Sequence, residues 1–98
     1  MIDRIKTNKA PSAIGTYSQG TIAGNLVFTS GQIAIDPKSG ELVSDNFESE
    51  ILQVLKNVNA VLEAGGSSLE NAIKLTVFIK DISKFQIINN VFSSYFSD

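Results

Sequence analysis

Two short stretches concentrate the groups that could do chemistry. Ala13-Ile-Gly-Thr-Tyr-Ser-Gln-Gly20 and Thr29-Ser-Gly-Gln32 each set glycines beside hydroxyls at the end of a strand-like run. Glycine there lets a ligand approach the main chain, whose N–H groups bind a carboxylate without a cationic side chain. Tyr17 offers a ring wall and a phenolic hydrogen bond, Ser30 a hydroxyl and Gly31 an open amide. The same residue types also build ordinary turns and interfaces, so alone they define no reaction. What is missing narrows the field further. The 98 residues include no His, no Cys and no Trp, so they supply no Ser-His-Asp triad, no thiolate and no Cys/His zinc site. Chemistry has to rest on carboxylates, hydroxyls, amines, the single guanidinium of Arg4 or the backbone.

Eight basic residues stand against ten acidic ones, for a formal net charge of −2. The basic residues are scattered, so release of counterions from phosphates is a poor driving force and a nucleic-acid partner is not expected. No stretch approaches the roughly 18 apolar residues of a membrane span, and no apolar run follows the N-terminal Met1-Ile-Asp-Arg-Ile-Lys. The chain is expected to be a cytoplasmic protein without membrane contact. A hydrophobic content of 43% and the absence of repeats or linkers make residues 1–98 one domain.

The elements that must hold these stretches follow from periodicity. Ile2 to Ile5 reads as an edge strand. Tyr17 to Ala23 and Leu26 to Ser30 are strands joined at Gly24-Asn25, a pair suited to a tight hairpin. Asp36-Pro-Lys-Ser-Gly40 is a turn. Phe47, Ile51, Val54, Leu55, Val58, Val61 and Leu62 recur every three or four residues, predicting a helix over 46–64. Asp45 and Glu48 would form its capping box and Gly65-Gly66 its stop, while Glu48, Gln53, Lys56, Asn57 and Glu63 make the solvated face. Ser67 to Ala72 is a helical turn. Ile73 to Lys80 alternates as a strand with Phe78 interrupting its polar face. Ser83 and Gln86 would cap a second helix with Phe85, Ile88, Val91, Phe92, Tyr95 and Phe96 on its buried side. A βαβ-like crossover then puts both helices on one sheet face and leaves the other to self-association.

Four stretches taken together are specific: Ala10-Pro-Ser-Ala-Ile-Gly-Thr-Tyr-Ser-Gln-Gly20, Leu26-Val-Phe-Thr-Ser-Gly-Gln-Ile33, Asp36-Pro-Lys-Ser-Gly-Glu41 and Lys74-Leu-Thr-Val-Phe-Ile-Lys-Asp81. In order and spacing, from Ile2 to Phe96, the chain resembles the reactive intermediate deaminase family, also called Rid, YjgF or L-PSP. The resemblance implies a chorismate-mutase-like α+β fold, with a mixed sheet and two helices on one face. It also implies a homotrimer around a central barrel, with ligand clefts between subunits.

The implied activity is hydrolysis of short 2-imino acids or their enamine tautomers to 2-oxo acids and ammonia, without metal or cofactor. By the same resemblance Tyr17 lines the cleft, Ser30 and the backbone of Gly31 lie beside the substrate, and Asn89 sits near the pocket. The family's carboxylate-gripping Arg, in a Pro-Ala-Arg-like motif, and its water-positioning Glu have no counterpart here. No catalytic residue is therefore assigned. The family pattern continues through a loop and two more strands, so the chain is expected to be incomplete at its C-terminal end. A polypeptide of these residues alone is expected to have little deaminase activity. Two other roles are consistent with the resemblance: non-catalytic binding of small carboxylates, or an RNA-directed role as endoribonuclease or translation inhibitor. The acidic balance speaks against the RNA role.

Overall fold

The computed structural model describes residues 2–96. Three antiparallel strands, β1 (Ile2–Ile5), β2 (Gly20–Ala23) and β3 (Leu26–Thr29), form a sheet in the order β1-β2-β3. Helix α1 (Phe47–Ala64) packs on β3, and helix α2 (Phe85–Ser93) packs on α1. The class is α+β. The expected mixed sheet is a purely antiparallel one among the described residues, because residues 73–80 join no ladder.

The hairpin falls where the sequence puts it, with Gly24 at φ 62 and Asn25 outside the left-handed region. Ile22 pairs with Val27 and Gly20 with Thr29. Val27 is half-buried toward α1, whereas Leu26 and Phe28 are exposed on the other sheet face. The 36–40 turn also forms: Asp36 Oδ1 accepts from the Lys38 N–H at 2.8 Å and the Asp36 carbonyl from the Gly40 N–H at 2.8 Å.

Helix α1 starts one residue later than the predicted cap. Asn46, not Asp45, is the N-cap, its side chain accepting from the Ser49 N–H at 2.8 Å. At the other end Gly66 has φ 89, and the Ser67 N–H donates to the Leu62 carbonyl at 2.8 Å, which closes the helix as the glycine pair predicts. This end fits tightly on the sheet. A Cβ at Gly65 would lie 2.7 Å from Ile5 Cδ1 and 2.9 Å from Val27 Cγ1, and one at Gly20 would lie 2.7 Å from both the Phe28 carbonyl and Val61 Cγ1.

Two clusters make the core. Ile51, Leu55 and Leu62 of α1 meet Leu69, Ile88 and Val91, and a smaller group joins Ile5, Ala10 and Val61. Val27 touches both. A fully buried side chain of this kind contributes about 1.5–3 kcal/mol, so the helix layer is well anchored.

The C-terminal part departs further from expectation. Residues 73–80 form no strand, and none of their main-chain groups pairs with another described residue. Only Leu75 and Ile79 are half-buried, Ile79 against the larger cluster, while Ile73 and Phe78 are 86% and 92% exposed. The alternation is present, but a strand needs a neighbouring ladder and nothing here supplies one. The predicted Ser83–Gln86 cap of the second helix does not form: Lys84 stands at the N-cap of α2 with no side-chain bond, and Asp81 caps the preceding 3-10 turn (Ile82–Lys84), accepting from the Ser83 N–H at 3.0 Å and the Ser83 hydroxyl at 2.6 Å. These bonds hold the Asp81 carboxyl below its ordinary pKa. Lys84 Nζ lies 4.8 Å from the Phe47 ring centre, tying this turn to the start of α1. Of the predicted buried face, Ile88 and Val91 are buried and Phe92 and Phe96 pack half-buried against the same cluster, whereas Phe85 and Tyr95 are exposed.

Candidate functional site

The free end of the β2–β3 hairpin places the two chemistry-bearing stretches side by side. The Ser30 N–H donates to the Gln19 carbonyl at 2.9 Å, extending the ladder one pair past the strands. The Ser30 hydroxyl donates to the Ser18 carbonyl. Its proton is committed, so toward a ligand Ser30 is an acceptor. Gly31 follows, exposed, with nothing within 4 Å of where a Cβ would be. Its N–H has no partner among the described residues. A donor and an acceptor therefore lie next to each other at one exposed bend.

Tyr17 immediately precedes Ser18 and is half-exposed. Its oxygen accepts from the Ile14 N–H at 3.3 Å across a bend in which Gly15 takes φ 103. The phenolic proton remains available for a ligand. Asn89 lies elsewhere, exposed on α2, and no hydrogen bond joins it to Tyr17, Ser30 or Gly31. Arg4 is on β1, opposite Thr21. The structure thus brings Tyr17, Ser30 and Gly31 together and places Asn89 on a separate element.

Two buried amides brace this bend, and neither stands out in the sequence. Gln19 is 4% exposed. Its Oε1 accepts from the Thr7 N–H at 2.7 Å, and its Nε2 donates to the carbonyls of Thr7, Ala10 and Pro11 at 2.9, 3.2 and 2.8 Å. One side chain satisfies an arm with no regular structure of its own, as buried main chain requires. Asn57, predicted to face solvent, is 0% exposed. Its Nδ2 donates to the Ile33 and Ile35 carbonyls at 3.0 and 2.9 Å, because the 33–35 loop folds over that side of α1. The available signal is positional: Asn57 lies at the margin of the apolar arc, three residues after Val54 and four before Val61.

The bend is open surface in the single chain. Two grooves of about 390 and 490 Å³ run along α1 and are lined by residues such as Leu52, Lys56 and Tyr95 or Phe47, Ile87 and Val91, not by Tyr17, Ser30 or Gly31. No helix of the described residues is long and apolar enough to cross a membrane.

The profile of the endoribonuclease L-PSP family matches residues 7–98. A RutC family protein of Pyrococcus horikoshii is 47% identical over 98 residues, which are 100% of this chain and 78% of the relative. The human 2-iminobutanoate/2-iminopropanoate deaminase is 44% identical over 92 residues, 94% of this chain and 67% of the enzyme. Escherichia coli TdcF, solved with bound serine, superposes with a TM-score of 0.90 at 42% identity, over 95% of this chain and 72% of that one. The chain belongs to the endoribonuclease L-PSP family, the Rid/YjgF group that the motifs resemble.

Proposed function

We propose that the Tyr17–Ser30–Gly31 bend is the substrate-binding part of a site that hydrolyses short 2-imino acids, or their enamine tautomers. The carrying observation is the adjacent acceptor and donor, Ser30 Oγ with its proton turned into Ser18 and the unpaired Gly31 N–H. A 2-imino acid presents the complementary pair, an N–H and a carboxylate. The Gly31 N–H donates to a carboxylate oxygen, Ser30 accepts from the nitrogen, and the Tyr17 ring covers the short apolar tail. Water adds across the C2=N bond to give a carbinolamine. The C2–N bond then breaks, nitrogen leaves as ammonia, and C2=O remains. Assembly of the chain as a homotrimer would turn the open bend into a cleft.

The naming of the human relative as a deaminase and the serine in TdcF support this ligand class. A second reading, binding without turnover, is favoured by one feature. Among the described residues Ser30 bonds to Ser18, Gln19 and Gln32, and no charged side chain of theirs enters the network around it.

The test is hydrolysis of 2-iminobutanoate generated in situ, run beside an NMR titration with 2-oxobutanoate. Acceleration, with the Gly31 amide shifting, supports the deaminase. A Gly31 shift without acceleration supports the binding reading. Neither effect, or RNA cleavage that survives removal of trace nuclease, overturns both.

A further inference from the structure

We infer that Asn57 is a positioning residue for the Gly31 amide, acting through the Ile33 carbonyl. The inference rests on the proposed site only for its ligand readout. Its geometric part stands without it.

Gly31 and Gln32 are suspended between two anchors. On one side the main chain and hydroxyl of Ser30 are pinned to Gln19 and Ser18. On the other, Ile33 begins a narrow turn, in which the Ile35 N–H donates back to the Ile33 carbonyl at 2.9 Å. The Asn57 Nδ2 group holds two carbonyls of that turn, Ile33 at 3.0 Å and Ile35 at 2.9 Å, while the Ala34 carbonyl between them accepts from the Val43 N–H at 2.7 Å. Between the anchors, the one contact among the described residues is that of Gln32 Nε2 with the Ser30 carbonyl at 3.4 Å, too long to fix a peptide plane. The direction of the Gly31 N–H is therefore set from its two ends.

The chemistry demands an amide at this position. Two carbonyls need two donor hydrogens from one atom, which Asn supplies, Asp lacks and Leu cannot mimic. Which end of the amide faces the loop is itself determined. Gln53, one turn earlier on α1, donates its Nε2 to Asn57 Oδ1 at 2.8 Å, leaving both Nδ2 hydrogens for the loop. Asn57 never reaches the ligand position, so its effect is on orientation.

The experiment compares wild type, Asn57→Asp and Gln53→Glu by amide NMR, with and without 2-oxobutanoate, at a temperature where each is fully folded. Asn57→Asp turns a carboxylate onto two carbonyls. Gln53→Glu replaces the donor to Oδ1 by an acceptor at a half-buried helix position, drawing the amide around with little risk to folding. Expected in the free proteins are a displaced Gly31 amide resonance and faster exchange of the Ile35 amide, with the α1 and β1–β3 resonances retained. Expected with ligand is at least tenfold weaker 2-oxobutanoate binding in Asn57→Asp and a smaller loss in Gln53→Glu. A residue that merely tied the helix to the loop would lower the melting temperature and leave Gly31 and the dissociation constant unchanged. That result overturns the inference. If wild type binds no 2-oxobutanoate, the site reading fails while the free-protein Gly31 shift still decides the role of Asn57. Should Asn57→Asp not fold, Gln53→Glu carries the same two readouts.

Discussion

The 7–35 region and the 73–96 region each contain a long irregular segment beside their regular elements, yet these segments are held in opposite ways. In the first, irregular main chain is tied down by polar side chains from elsewhere: Gln19 takes four bonds from the 7–11 arm and Asn57 two from the 33–35 turn. In the second, the main chain of residues 73–80 has no partner among the described residues, and contact is made by side chains such as Ile79, Ile88 and Val91 on the α1 cluster. Hydrogen bonds fix direction, whereas apolar contact fixes only proximity. The region of the proposed site is the one built with directional ties.

The largest expected effect removes what both regions share. Leu55, 2% exposed in the main cluster, should cost about 2–5 kcal/mol as Leu55→Ala, seen as a fall in the urea midpoint for probes in both regions. Gln19→Ala should act on the first region only. It strands one N–H and three carbonyls, an expected loss of about 1–3 kcal/mol, and speeds exchange of the Thr7 amide while α2 is unaffected. Phe78→Ser, in the second region, should shift stability by less than about 0.5 kcal/mol, because the side chain is 92% exposed. A loss several times larger, or slow exchange of the 73–80 amides, would mean that this segment is paired and would erase the contrast.

The smallest effect depends on pH. The Ser83 bonds depress the Asp81 pKa in the folded chain. Their contribution is full above the unfolded carboxylate value and is lost as pH falls through the folded one, in the range below about pH 4. Asp81→Asn should remove that dependence. The readout is exchange of the Ser83 amide against pH, with β1–β3 as an unchanging reference.

Which of these features the sequence discloses depends on whether they are local. The hairpin at Gly24, the 36–40 turn, the glycine stop of α1 and the apolar stripe need only neighbours along the chain, and all four are readable from spacing. Tyr17, Ser30 and Gly31 are readable too, as hydroxyls and glycine at strand ends. The brace is not, because the partners of Asn57 lie 22 and 24 residues away and those of Gln19 up to 12. Helical periodicity assigned Asn57 to water since it sees one helix at a time and cannot see a loop crossing over it. The reverse error occurs at residues 73–80, where alternation describes what a strand looks like and says nothing about whether a ladder is available. The cap of α1 moved by one residue, from Asp45 to Asn46, and the side-chain cap expected of Ser83 on the second helix went instead to Asp81 on the 3-10 turn before it, since several adjacent side chains have the right chemistry and local backbone geometry selects one.

The hairpin tip at Gly24-Asn25 has a practical consequence. Asn25 is exposed, joins none of the braces, and sits about 16 Å along the strand from Ser30. With no native thiol anywhere in the 98 residues, Asn25→Cys would give the molecule a single chemical address. A fluorophore or spin label attached there would report on what happens at the far end of β3 without touching it.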